Sequence, residues 1–334
     1  MSNPVVVEVL RGGRVESAHR GAGIVIDASG KAAMAFGEVE RAIYARSAVK
    51  ALQALPLVES GAADRLGLSE AEIALACASH AGEPEHVATA TAMLAKAGRD
   101  ETALECGIHW PASEAAGRAL AAAGKSPSAL HNNCSGKHAG FICLACAQGV
   151  DPKGYVASGH VVQREVTAAL AGMTGTRLGD DNRAVDGCSI PAYAMPLRAL
   201  ALAFARFGTG QGLSPERARA AARIRAAVAA HPFMVGGTGR FDTDIMTLLG
   251  PRAFTKGGAE GVLCAALPEK GLGLAVKADD GAGRAAQIMM AALLDRFGGF
   301  DDEARLGLSS FLTPALRNWN EIAVGGLRPA GPLA

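Results

Sequence analysis

The chain lacks an excess of either charge. Its 33 lysines and arginines face 32 aspartates and glutamates, a formal net of +1 over 334 residues. That excludes the basic field of a nucleic-acid-binding surface and the polybasic patch of a membrane anchor. No apolar run reaches membrane-spanning length. Met1-Ser2-Asn3-Pro4 lacks a basic segment leading into a long apolar stretch, so no secretory leader is read and the cytoplasm is the expected compartment. Internal repeats and low-complexity linkers are also missing. The seven cysteines (Cys77, Cys106, Cys134, Cys143, Cys146, Cys188 and Cys264) are odd in number, which argues against a disulfide framework. Cys143 and Cys146 have C-x-x-C spacing, but Phe141 to Ala147 reads as the interior of an apolar helix. Lysine is scarce, with 9 against 24 arginines. Where only positive charge is needed, this chain uses arginine. Lysine at special positions is therefore expected to serve chemistry, because burial strips its proton far more readily than that of arginine.

What is present begins with bulk. Hydrophobic residues make up 49% of the chain, enough for a sizeable core in one large domain or two modest ones. Val5–Leu10, Val15–His19, Gly23–Asp27 and Ala32–Phe36 read as an antiparallel meander with turns at 11–14 and 28–30. Helical periodicity then takes over. Helices are expected over Ser47–Glu59, from the capping box Ser69-Glu70-Ala71-Glu72, and over Pro84–Lys96 and Ser113–Ala123. Others are expected over Lys137–Gln148, Ser158–Ala171, Pro191–Phe207 and Ser214–Ala230. Strands return at 261–267 and 271–277, and a last helix spans about 283–297. The predicted class is α+β, with an antiparallel sheet built from both chain ends, helices packed on it, and a mostly helical lobe. The chain is read as one catalytic unit over 1–334, with 1–45 and 250–325 as the sheet lobe and 46–249 as the helical lobe. The tail from Gly325 to Ala334 is expected to fray.

Arg46-Ser47-Ala48-Val49-Lys50 holds the only Ser-x-x-Lys of the chain. Residues three apart share a helix face, so the hydroxyl and the amine fall within reach of each other. A buried, neutral lysine can take the serine proton and create a nucleophile. Ser47 is also a plausible helix cap. A second concentration of polar groups runs from His131 to His138, and Asp186-Gly187-Cys188-Ser189 resembles it. Both are read as glycine-containing turns ahead of helices, where free N–H groups bind anions or carbonyl oxygens. Cys134 and Cys188 invite zinc, with His138 or Lys137 as third ligand; two buried cysteines beside ordinary caps is the alternative. Ser79, in Ala78-Ser79-His80-Ala81-Gly82, is either a second hydroxyl of the site or a cap. Gly236-Gly237-Thr238-Gly239-Arg240 lacks the lysine of a P-loop and reads as a close-approach loop, with Arg240 on a carboxylate or paired with Asp242. Lys256 stands at a strand end before two glycines, where a solvated lysine is the default.

Taken together and in order, Arg46-Ser47-x-x-Lys50, Ser79-His80, Asn133-Cys134-Ser135-Gly136-Lys137-His138, Asp186-Gly187-Cys188, Gly237-Thr238-Gly239-Arg240 and Lys256 to Gly261 resemble the rhizobial-type L-asparaginases. These are also called the asparaginase II family or class 3, and the likeness covers nearly the whole chain. The resemblance implies a fold similar to serine β-lactamases and serine-dependent glutaminases. It implies two serine–lysine pairs, Ser47 with Lys50 and Ser79 with Lys256, acting on L-asparagine through an acyl-enzyme. Arg46, His80, Asn133 and Arg240 are the expected substrate-facing residues. By the same resemblance Cys134, Lys137 and Cys188 hold zinc, which serves substrate binding more than chemistry, and His138 and Asp186 support them from behind. The family's members are homodimers. Three rival readings remain at this level: an L-glutaminase, a penicillin-recognising hydrolase, and a non-catalytic zinc or amino-acid-binding protein.

Overall fold

The computed structural model describes residues 2–334. Contacts divide the chain into two compact units. One comprises the chain up to Ala48, Met195–Thr209 and Arg252–Ala334; the other comprises Val49–Ala194 and Gly210–Pro251. The stretch 195–209, expected in the helical lobe, thus belongs to the sheet unit.

The sheet unit is built on eight antiparallel strands. Across the sheet run Ala315–Arg317, Ala323–Pro329, Val5–Arg11, Arg14–Asp27, Leu272–Ala278, Val262–Leu267 and Phe254–Gly257, and Ala32–Phe36 pairs with the far half of Arg14–Asp27. β-Branched residues fill Val5–Val9 and Ile24–Ile26, which suits a pleated, buried surface. The expected strands 15–19 and 23–27 merge into one strand, Arg14–Asp27, because its pairing changes partner along its length. Residues 14–20 face Val5–Arg11, and residues 21–27 face Leu272–Ala278. The tail does not fray: Leu327 pairs with Val9 and is buried, and Ala330 N–H donates to Val6 O at 2.9 Å.

Two helices cover the two faces of this sheet. Gly273 lies under Leu197–Thr209 so closely that a Cβ there would stand 2.0 Å from Ala201 O. Gly21 lies against Met289 of helix Gly283–Gly298, and it pairs with Ala278. Positions 273 and 278 differ in parity along one strand, so the two helices pack on opposite faces. Phe204 and Phe207 of the first helix meet Phe254 at ring separations of 5.9 and 5.1 Å. Each fully buried ring contributes about 1.5–3 kcal/mol by leaving water.

The expected helix 191–207 is in fact a strand, Pro191–Pro196, followed by the helix Leu197–Thr209. Its alternating burial and its proline at each end mark the extended part. The expected helix 47–59 breaks into a 3-10 turn Arg46–Val49, then Lys50–Gln53 and Leu55–Glu59. Pro56 supplies no N–H to a continuous ladder, which accounts for the interruption.

The second unit is mainly helical. Its central helix, Ser135–Ala147, is buried from Ser135 through Ala145 on every side, as expected of a helix apolar all round. Cys143 lies in that helix with its thiol on Met93 O, in keeping with the helical reading of the C-x-x-C pair. The capping box at Ser69 and Glu72 is formed and starts Glu70–Ala76. Arg217 grips Glu59 with two bonds of 2.9 and 2.8 Å, tying Pro215–Ala230 to Leu55–Glu59. Among the described residues, no helix is long and apolar enough to cross a membrane.

The aromatic cluster gives a direct test. Phe254→Ala should lower unfolding free energy by about 3–5 kcal/mol in urea titration, through lost transfer energy and the residual cavity. A loss under about 1 kcal/mol would mean that this cluster does not anchor the helix to the sheet.

Candidate active site

In the helical unit, Lys50 opens the helix Lys50–Gln53 and is 1% exposed. Its Nζ donates to Ala78 O at 2.5 Å and to Cys134 Sγ at 3.1 Å, and lies 3.5 Å from Asn133 O. A buried ammonium needs such partners, because desolvation otherwise costs several kcal/mol. The carbonyl on Lys50 belongs to the residue just before Ser79. Ser79 is half-buried, and its N–H donates to Val235 O at 2.9 Å, while His80 N–H donates to Asn133 O at 3.2 Å. The Ser79-His80 turn therefore joins the loop after Phe233 to the turn before Cys134.

His80 does not present a free ring. Its Nδ1 accepts Gly82 N–H at 3.1 Å, and Nε2 donates to Ser135 Oγ at 2.9 Å, which passes its proton to Leu130 O at 2.8 Å. Burial, helped by nearby His86 and Lys50, holds the ring pKa well below its usual value, so His80 is neutral. With both nitrogens engaged inside the protein, its ring pins the turn.

Cys134 sits at the start of Ser135–Ala147, and its neighbours reshape its titration. The Cys188 thiol donates to Cys134 and holds the Cys134 thiol well below its ordinary pKa; Lys137 and Lys50 act in the same direction against burial. Cys188 moves up for the complementary reason, its hydrogen bond to Cys134 adding to desolvation. The two thiols titrate as a pair, with Cys134 shifted down and Cys188 shifted up. Lys137 Nζ lies 3.0 Å from Cys188 Sγ. Burial alone would lower the Lys137 pKa, but Cys134 and Cys188 outweigh it and the net shift is upward. Asp186 Oδ2 stands 3.6 Å from Cys188 Sγ. The turn Asp186–Ile190 leads into the strand Pro191–Pro196 rather than the expected helix, so it offers no helix N-terminus.

Two thiols and one amine thus meet, and thiol sulfur suits zinc. No three His, Cys, Asp or Glu side chains form a metal-holding group among the described residues. His138 stands beside them with Nδ1 at 2.6 Å from the Tyr155 hydroxyl, while its buried Nε2 has no protein partner. Tyr155 also accepts Glu105 N–H at 2.9 Å. The orphaned Nε2 is the polar atom an added group would satisfy.

In the sheet unit, Ser47 is half-buried in the turn Arg46–Val49. Gly258 presses on that turn: a Cβ there would lie 2.9 Å from Ala45 O and 3.0 Å from Ala48 N. Two residues earlier, Lys256 is fully buried rather than solvated, and its Nζ donates to Gly257 O at 2.7 Å. The strand end carrying Lys256 and the turn carrying Ser47 are therefore in direct backbone contact. Backbone strain collects at these places. Among the described residues, four that are not glycine have positive φ: Arg46 (50°), Ser189 (75°), Glu260 (60°) and Glu321 (60°). The first precedes Ser47, the second follows Cys188, and the third ends the loop after Lys256. Each costs about 1–3 kcal/mol and persists only where its surroundings enforce it.

The sequence reading passed over several residues. His109 Nε2 accepts Asn133 N–H at 2.9 Å and fixes that peptide; Tyr155 orients His138; Ser135 receives His80. His109 and Tyr155 lie far from the residues they serve in sequence, so no motif marks them. Arg240 is exposed at the end of the 236–240 loop, with Thr238 held by Glu83.

The family model for L-asparaginase II matches residues 7–329. No curated protein matches the chain. Among solved structures, a β-lactamase from Mycobacterium bovis is 13% identical, with TM-score 0.41 and coverage of 87% of this chain and 94% of that one. Unliganded simvastatin synthase from Aspergillus terreus is 12% identical, with TM-score 0.39 and the same coverages.

The charge balance around Cys134 makes a measurable statement about the metal-free protein. Lys137→Met removes a cation that favours the thiolate, so the Cys134 pKa should rise. Ultraviolet thiolate absorbance near neutral pH should then fall below wild type and return only as pH increases. Unchanged absorbance at neutral pH would remove Lys137 from that balance.

Proposed function

Because the chain belongs to the L-asparaginase II family, a family of amidohydrolases, we propose that it hydrolyses L-asparagine to L-aspartate and ammonia through a serine nucleophile activated by lysine. The observation that carries the reading is the buried amine of Lys50, three residues after Ser47, with its proton directed at Ala78 O and Cys134 Sγ. Lysine is scarce in this chain, and one buried three residues after a serine suits a proton acceptor better than a surface charge.

In the proposed cycle, Arg46 and Arg240 hold the carboxylate end of the substrate. Neutral Lys50 takes the Ser47 proton, and Ser47 attacks the side-chain amide carbon. Ser79 and Lys256 relay protons as a second serine–lysine pair. Ammonia leaves with the returned proton, and water releases aspartate from the acyl-enzyme. Asn133 orients the substrate through a backbone that His109 fixes, and His80 keeps the Ser79 turn in place. Cys134, Lys137 and Cys188 would hold zinc, with His138 and Asp186 behind them; a metal there would supply Lewis acidity in support of substrate binding. The same family reading makes the protein a homodimer, to be checked by sedimentation.

Ammonia release from L-asparagine and L-glutamine is the deciding assay. L-Asparagine should be favoured. One methylene in an apolar pocket is worth about 1–3 kcal/mol, so L-glutamine turnover at or above the L-asparagine rate assigns the glutaminase instead. Ser47→Ala and Lys50→Met should each cut turnover at least about 10⁴-fold with the fold retained. Near-normal turnover by Ser47→Ala would transfer the nucleophile to Ser79. Lys50 must lose its proton before it can accept another, and the thiolate beside it favours the ammonium. Activity should therefore rise from the acid to the alkaline side, and a profile flat through mildly acid pH counts against a lysine base. Elemental analysis should find about one zinc per chain in the wild type and little in Cys134→Ser or Cys188→Ser; equal metal in all three places the ion elsewhere.

A further inference from the structure

Four hydrogen bonds fasten the segment 233–238 to the turn and helix start at 79–86. Ser79 N–H donates to Val235 O at 2.9 Å. His86 Nε2 bonds Phe233 O at 3.0 Å, and its ring stacks on Phe233 at 4.7 Å. The remaining two both end on Glu83: Oε1 accepts Thr238 N–H at 2.8 Å, and Oε2 accepts the Thr238 hydroxyl at 2.8 Å. Glu83 N–H also donates to His86 Nδ1 at 3.2 Å, which sets the ring that reaches Phe233. Gly237 closes the joint. It has φ +105°, and a Cβ there would stand 2.5 Å from Glu83 Oε1 and 3.0 Å from Ala81 Cβ.

Beyond Gly237 the loop leaves the interior. Thr238, Gly239 and Arg240 are all exposed, so burial does not order the tip. We propose that Glu83 is a positioning residue: it locks the 236–240 loop to the Ser79 turn, so that Arg240 meets the substrate carboxylate at a fixed place relative to Ser79. The proposal rests on the reading of Arg240 as a carboxylate anchor. A tip released from Glu83 must be ordered anew each time substrate binds. That ordering weakens ground state and transition state alike, which raises KM and leaves kcat nearly untouched. A carboxylate that only capped the helix Pro84–Lys96 would give a different pattern, a loss of stability with KM unmoved.

Two readouts on Glu83→Ala, Glu83→Gln and Thr238→Val test this. The first is kinetic. Glu83→Ala should raise KM for L-asparagine about tenfold or more, with kcat within about threefold of wild type. Glu83→Gln can still accept Thr238 N–H and donate to its hydroxyl, so it should restore KM to within about threefold. Thr238→Val keeps one of the two bonds and should fall between. The second readout is amide hydrogen exchange, which needs no turnover. Exchange at Thr238 should quicken in Glu83→Ala, stay slow in Glu83→Gln, and leave the helix Glu70–Ala76 unchanged. Unaltered Thr238 exchange in Glu83→Ala overturns the latch. Quickened exchange with KM unchanged overturns its role in substrate positioning. A wild-type protein that releases no ammonia from either amide sinks the asparaginase reading, while exchange still judges the latch by itself.

Discussion

Burying a lysine is the constraint from which most of the site follows. Lys50, Lys137 and Lys256 are 1%, 2% and 0% exposed. Each charge removed from water must be repaid by donors and acceptors arranged before it arrives. Lys50 is met by Ala78 O and Cys134 Sγ, Lys137 by Cys188 Sγ, and Lys256 by Gly257 O. Two of these acceptors are main-chain carbonyls and two are thiol sulfurs, so backbone and side chains alike become fixed. The two thiols are drawn into the same balance: the Cys188 hydrogen bond, helped by Lys137 and Lys50, shifts the Cys134 thiol down against burial.

The turns that meet this demand are held under strain. Arg46 and Ser189 adopt left-handed φ immediately beside Ser47 and Cys188. Gly258 brings the Lys256 strand end onto the Ser47 turn, at a distance that no side chain permits. Histidines here act as struts. His80, His86 and His109 each spend their ring nitrogens on backbone or hydroxyl groups, and burial keeps the first two uncharged.

Much of this was legible in the residues. Scarce lysine pointed to Lys50 before any coordinates did, and the β-branched run at Val5–Leu10 marked the first strand. Where the reading failed, local signals misled for identifiable reasons. Residues 191–196 carry apolar groups that suit a helix as well as a strand, and strand pairing, with Arg183–Val185 among others, decides for the strand. Gly325–Ala334 looks like a polar, glycine-rich tail, yet Val5–Arg11 offers it an unpaired edge. His109, Tyr155 and Glu83 carry no motif, because each acts on a residue from 17 to 155 positions away.

The sequence by itself determined the chemical inventory: a lone Ser-x-x-Lys, two cysteines with a lysine near one of them, and strands at both ends enclosing a helical middle. Composition and periodicity suffice for that, because they act over a few residues at a time. The tertiary structure decided which of these groups are charged, which are pinned and which remain free. Protonation of Cys134, the hydrogen bonding of His138 and the grip of Glu83 on Thr238 depend on partners remote in sequence. Their energies arise from burial and from contacts that exist only once the chain has closed on itself.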